Sequence, residues 1–287
     1  MIPLCEFFIV LHAILYANQK HSFLQDVSFA AGRRPRILLY YREKESQLIC
    51  HRKAGVQIMR IYLVRHGQTR LNRRGCYYGL KDVPLSDHGV AQACLVGNMI
   101  GHLHFDRVIS SPLNRAISTA SLILSPSPTL TNTVEIGPDA GIGRDDMAGT
   151  DSRIEIDGRI EEQHFGIFEG MTYSEISSSY PEELEAWNSD FDHYRIPQGE
   201  SFRDVRLRID SFTKDLLHMN EQNKDQTILI TAHKGTFGHL LAALLGLPLG
   251  GFWNFAIEQG CYTCIDLEDG YAILRRLNST QVEGDGR

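Results

Sequence analysis

Residues 61–69, Ile-Tyr-Leu-Val-Arg-His-Gly-Gln-Thr, run four apolar side chains straight into an arginine, a histidine and a glycine. A continuous apolar run bounded by a glycine reads as a strand buried on both faces, as in the middle of a parallel sheet. Its cationic end has a place in such a sheet, because the carboxyl ends of the strands line the crevice where open α/β folds take ligands. The same figure returns twice, in Val-Ile-Ser-Ser-Pro-Leu-Asn-Arg-Ala (108–116) and Leu-Ile-Thr-Ala-His-Lys-Gly (229–235). Each delivers His or Arg beyond an apolar strand and leads into a helix. Arg65, His66, Arg115 and His233, distant in sequence, are therefore expected to meet at one sheet edge.

Outward from these segments, strands and helices alternate from Met59 onward, which predicts an α/β fold with a mainly parallel central sheet and helices on both faces. Ser86 caps a helix over 87–103. Ile117, Ala120 and Leu124 share one face of the helix after Pro112. Thr172 and Glu175 form a capping box, and Pro181 continues or restarts that helical segment. Phe202, Val205, Ile209, Phe212, Leu216 and Met219 recur at steps of three and four, the firmest helix signal in the chain. An apolar helix over 235–246 stops before Pro248, and two strands close a hairpin around Asp269-Gly270. Ser125 to Gly158, rich in Ser, Pro, Thr, Gly and Asp, reads as a long surface excursion with one short strand near 133–136. Its acids, Asp139, Asp145, Asp146 and Asp151, lack the spacing of a calcium loop and read as solvated.

The chain has 287 residues, 43% of them hydrophobic, which is enough to bury a sizeable core. A formal charge of -6 and a pI near 6.1 argue against nonspecific nucleic-acid binding. Six cysteines are too few for a disulfide framework. The only close pair, Cys261 and Cys264, has no second pair to complete a zinc site and reads as buried reduced thiols, which implies the cytoplasm. The apolar start, residues 1–19, has no positive n-region, is interrupted by Glu6 and His12, and is shorter than the roughly 20 residues a spanning helix needs. Residues 1–58 are expected to be an N-terminal extension outside the functional fold or a start-site artefact, with the functional domain over 59–287 beginning at Met59.

Two arginines and two histidines in one crevice suit a phosphate or similar tetrahedral anion. Guanidinium forks hold pairs of oxygens and keep their charge, and helix N-termini after His66 and Arg115 would add N–H donors. Binding alone does not require histidine. A neutral imidazole beside phosphorus is a nucleophile whose N-phosphoryl product is labile to water. Such chemistry needs a carboxyl group to protonate the leaving alkoxide, and no metal or other cofactor.

Four ordered motifs, Arg65 to Asn72 (RHGQTRLN), Ser110 to Ala120 (SSPLNRAISTA), Glu161 to Gly170 (EEQHFGIFEG) and Thr231 to Gly235 (TAHKG), resemble the histidine phosphatase, or phosphoglycerate mutase-like, superfamily. The resemblance runs from Met59 to about Asn278. It implies that His66 is the phosphorylated nucleophile, that Arg65, Arg115 and His233 complete the anion pocket, and that Asn72 adds a polar contact. The family's glutamate three residues before an aromatic-glycine pair selects Glu162 over Glu161 as the acid. Among the remaining histidines, His88, His102, His104, His164, His193, His218 and His239 match no catalytic position. Tyr77, Tyr78 and Trp187 read equally as substrate-pocket or packing residues.

The resemblance departs from the family at Lys234, where a small residue is common, and in the long 125–158 excursion. What it implies is a phosphomonoester hydrolase for a small phosphorylated metabolite, nearer to the small phosphatases, including α-ribazole 5′-phosphate phosphatase, than to glycolytic mutases. Two alternatives stay open: a 2,3-bisphosphoglycerate-dependent phosphoglycerate mutase, and a phosphate-ligand binding protein without turnover. No nucleic acid and no stable membrane insertion are expected, and a homodimer is allowed.

Overall fold

The structure, a computed structural model, describes residues 58–125, 151–268 and 270–284. The expected strand at 133–136, the acids Asp139, Asp145 and Asp146, and residues 1–57 of the extension lie outside the described residues. Strand β1 (Met59–Arg65) is followed by a five-residue helix α1 (Arg70–Arg74), helix α2 (Asp87–Ile100), strand β3 (Arg107–Ser110) and helix α3 (Asn114–Leu124). Strand β4 (Ile154–Ile156) comes next, and the short strands β2 (Cys76–Tyr77) and β5 (Met171–Thr172) pair as a separate ribbon. Helices α4 (Tyr173–Ser179), α5 (Pro181–Ser189) and α6 (Phe202–Gln222) precede β6 (Thr227–Ala232), α7 (Lys234–Leu244), β7 (Tyr262–Glu268) and β8 (Tyr271–Ser279).

The central sheet has the order β4-β3-β6-β1-β7-β8. The first four strands are mutually parallel, and β7 and β8 extend the sheet antiparallel. Alternation along β1 explains why it is apolar throughout: Met59, Ile61 and Leu63 face a core shared with α6 and α7, whereas Tyr62 and Val64 face one shared with α2 and α3. Burying each such Ile, Leu or Val side chain contributes about 1.5–3 kcal/mol. Val205, Ile209, Phe212 and Leu216 carry the apolar stripe of α6 into the first core, and Ile117, Ala120 and Leu124 carry that of α3 into the second, both as expected from their spacing. Side-chain caps sit at Ser86 and Thr172, with Pro181 opening α5.

One expectation is corrected. The 125–158 stretch is not all excursion: Ile154–Ile156 forms β4, which pairs parallel with β3 at the edge of the sheet. Three residues in an edge strand show one buried position only, Ile154, so no alternation is long enough to be seen. Among the described residues, no helix is long and apolar enough to cross a membrane.

Candidate active site

Three neighbouring strands end side by side. The ladder between β1 and β6 runs on past both strands, with the His66 amide donating to the Ala232 carbonyl at 2.9 Å, and the Ser111 amide beyond β3 donating to Thr231 at 3.0 Å. Helix α2 covers one face and α7, which follows β6, covers the other, so the crevice opens where the chain changes sides. His66, Ser111 and His233 follow directly from these strand ends. His233 is the N-cap residue of α7. The helix termini differ from expectation: Arg115 lies inside the first turn of α3 instead of before it, and only the short α1 follows His66.

His66 is buried, and its Nδ1 lies 2.8 Å from the Gly67 carbonyl. A carbonyl only accepts, so Nδ1 carries the proton and Nε2 keeps its lone pair. The residue after it has to be glycine, because a Cβ on Gly67 would stand 2.2 Å from the Gly89 carbonyl of α2. The rings of His66 and His233 are 5.1 Å apart. His233 Nε2 is 2.8 Å from the Ser111 hydroxyl, and its buried Nδ1 has no protein partner. Burial first, then the charges of Arg115 and Arg65, hold His66 well below the ordinary histidine range. Burial, Arg115 and His66 do the same to His233. Both rings are neutral at physiological pH.

Arg115 is the largest fully buried side chain, at 1% exposure. Its Nη2 donates to the Gly79 carbonyl at 2.8 Å and its Nη1 to that of Lys81 at 3.3 Å, with the Asp82 carboxylate 3.5 Å away. The guanidinium also lies over the Tyr78 ring, 4.8 Å from its centre, and the Tyr78 hydroxyl meets Thr69 Oγ1 at 2.6 Å. Arg65 donates to the Ile257 carbonyl at 2.9 Å, and burial lowers its pKa from the usual arginine range. The Nε atoms of Arg65 and Arg115 are buried without a protein acceptor. Unpaired buried donors are costly, so these two atoms and His233 Nδ1 make the pocket favour an anion.

The residues above the sheet edge sort themselves clearly. Glu162 is half-buried, accepts the Gly235 amide at 3.1 Å, and its charge is felt by Arg65. Glu161 instead turns to His164, 3.0 Å away. Asn72 Oδ1 is engaged by the Thr69 amide at 3.0 Å and by Gln259 Nε2 at 3.1 Å, which leaves its amide nitrogen for a ligand. Lys234 is exposed on the first turn of α7. Of the histidines set aside, His88, His102, His104, His193 and His218 are exposed, and His239 packs between Phe202 and Phe252. Trp187 is a packing residue, buried against Tyr77, Phe168 and Phe191. Among the described residues, no group of His, Cys, Asp and Glu is arranged to hold a metal ion. Cys261 and Cys264 are buried free thiols.

The model of the histidine phosphatase superfamily (branch 1) matches residues 61–136 and 146–280. The chain belongs to that superfamily. Adenosylcobalamin/alpha-ribazole phosphatase of Salmonella typhimurium is 32% identical over 224 residues, which cover 78% of this chain and 98% of that protein. Phosphoserine phosphatase 1 of Hydrogenobacter thermophilus is 28% identical, covering 78% and 93% of the two chains. Among solved structures, the alpha-ribazole phosphatase from Shigella flexneri superposes with a TM-score of 0.66 at 31% identity, over 79% of this chain and all of its own, 100%. This histidine phosphatase thus shares its α/β sheet and helix layers with the small phosphatases.

Ser111, Glu169 and Arg208 also shape the site and were not singled out in the sequence, whereas Tyr78, which read equally as pocket or packing, lies under Arg115. Glu169 accepts the amides of Gly79 at 2.8 Å, Leu80 at 3.1 Å, Lys81 at 3.1 Å and Phe165 at 3.0 Å, tying the loop under Arg115 to the loop of Glu162. Its neighbourhood carried no signal, because its partners are backbone groups, three of the four about ninety positions away. Arg208 did leave one, a cation three residues after Val205 in the apolar stripe of α6.

Proposed function

We propose that this histidine phosphatase hydrolyses phosphomonoesters by passing the phosphoryl group through Nε2 of His66. The observation that carries the reading is a buried neutral imidazole, its proton tied up at Nδ1, set beside two guanidinium groups and a second neutral histidine. Arg65, Arg115 and Nδ1 of His233 hold the non-bridging oxygens. For Nδ1 to donate to the anion, Nε2 of the neutral His233 accepts the Ser111 hydroxyl. Asn72 adds a contact at the rim.

In the first half-reaction the His66 Nε2 lone pair forms a bond to phosphorus while the ester P–O bond breaks, and Glu162 gives its proton to the departing alkoxide. In the second, water attacks the phosphohistidine, Glu162 takes back a proton, and the P–N bond breaks to restore the imidazole. The positive groups of the pocket supply the charge compensation that a metal ion supplies elsewhere. Named relatives act on α-ribazole, phosphoserine and glucosyl-3-phosphoglycerate esters, which supports a small phosphorylated metabolite, with α-ribazole 5′-phosphate the first to test. The thiols of Cys76, Cys261 and Cys264, not joined in disulfides, fit a reducing compartment such as the cytoplasm.

Phosphate release from p-nitrophenyl phosphate in the presence of chelator tests the reading. The native chain is expected to turn over, and His66→Ala to lose about three orders of magnitude or more, the scale of removing a covalent nucleophile. Loss of activity on chelation, or an active His66→Ala, would contradict it.

A further inference from the structure

Glu162 is held at two levels that the phosphoryl pocket does not use. Below it, Arg208 of α6 satisfies all five N–H groups of its guanidinium. Nη1 donates to the carbonyls of Arg159 and Glu161, both at 2.7 Å, and Nη2 to that of Glu162 at 3.0 Å. Nε and Nη2 donate to the two oxygens of Glu200, both at 2.9 Å. Glu200 in turn accepts the His164 amide at 3.1 Å. One rigid fork therefore fixes the main chain on both sides of Glu162, a task for which a single ammonium lacks the geometry.

At the other level, the Glu162 carboxylate rests on the first turn of α7. Oε2 accepts the Gly235 amide at 3.1 Å, Oε1 accepts the Gln163 amide at 3.0 Å, and Thr236 Oγ1 secures the Glu161 carbonyl at 2.8 Å. A Cβ built on Gly235 would lie 2.3 Å from Glu162 Oε1, and its three nearest heavy atoms all belong to that carboxyl group. Gly235 is helical, with no left-handed φ. Alanine suits its backbone, and its nearest contacts would be with the acid.

We propose that Arg208 and Gly235 are positioning residues for the proton donor, Arg208 fixing the backbone that carries Glu162 and Gly235 supplying the space and the N–H on which its carboxylate sits. The proposal rests on the acid role given to Glu162 above. It predicts a failure chiefly of proton delivery, since neither residue is hydrogen-bonded to His66, Arg65, Arg115 or His233, although His233 feels the charge of Arg208.

Gly235→Ala and Arg208→Lys, with Glu162→Gln as reference, are to be assayed on p-nitrophenyl phosphate, whose leaving group needs little protonation, and on ethyl phosphate, whose leaving group needs it. Both variants are expected to lose on the order of a hundredfold in kcat/KM, which reports the leaving-group step alone, on ethyl phosphate but less than about tenfold on p-nitrophenyl phosphate, following Glu162→Gln. Melting temperatures serve as control; alanine is the better helix former, so Gly235→Ala should melt no lower than the native chain. Equal losses on the two esters, or none, in Gly235→Ala would overturn the proposal, even where Arg208→Lys fails to fold. If Glu162→Gln alone discriminates between the esters, the positioning role falls and the acid role stands. If Glu162→Gln does not discriminate, both fall.

Discussion

The nucleophile role proposed for His66 rests on what its neighbours do to it. The Gly67 carbonyl holds the Nδ1 proton, burial and two guanidiniums keep the ring from charging, and glycine at 67 lets α2 press against the turn. No one of these is a property of histidine itself, and a solvent-exposed imidazole would spend part of its time protonated near pH 6.5. Arg115 shows the complementary case. A buried guanidinium needs acceptors, and the carbonyls of Gly79 and Lys81 take its outer nitrogens while leaving Nε unpaired. Glu162 is distinguished from Glu161 in the same way, by where the loop aims each carboxylate: one towards Gly235, the other towards His164.

At the scale of elements, the site is the product of three parallel strands that stop level with one another. This is why Arg65, His66, Arg115 and His233 were legible from sequence: each follows an apolar strand, and the rule that ligands gather at carboxyl ends does the rest. The functional fold is expected to begin with β1. Truncation to Met59 should leave p-nitrophenyl phosphate turnover within about twofold of the full chain, since the superfamily match begins at residue 61; insoluble or inactive truncated protein would place residues 1–58 inside the fold. Less was legible where an element is short or its bonds run to backbone. β4 offers three residues and one buried position, too few for a period. Arg208, a visible cation in the stripe of α6, and Glu169 bind main-chain groups that are mostly distant in sequence, and no local pattern reports which partners those are. Arg115 was placed just before a helix start and not within it, because a cap without a side-chain hydrogen bond leaves the boundary unmarked.

At the scale of the molecule, three buried histidines among the described residues are kept neutral. His66 and His233 sit well below their ordinary value, and burial with nearby Arg206 and Arg208 brings His239 down to about 3. In the unfolded chain each takes up a proton as pH falls through the ordinary 6.5, and in the folded chain it does not. The unfolded state then binds more protons, so stability declines as pH drops below that value. The slope approaches about 1.4 kcal/mol per pH unit for each histidine, or roughly 4 for three. Asp266, lowered despite its burial by Arg60 and Arg275, contributes the same proton balance in a lower window, with stability present above the ordinary carboxylate value and lost as pH falls through its folded one. Urea midpoints should therefore fall from pH 7 to pH 5, and His239→Leu should remove about a third of that slope. A midpoint independent of pH across this range would show that the histidines are protonated in the folded chain.

The most direct measurement is rapid quenching of the native enzyme during turnover of a phosphorus-labelled ester, followed by peptide mapping. One acid-labile, alkali-stable phosphoryl group is expected on His66, absent from a folded His66→Asn chain. Label recovered on another residue, or none recovered during active turnover, would contradict covalent transfer through that imidazole.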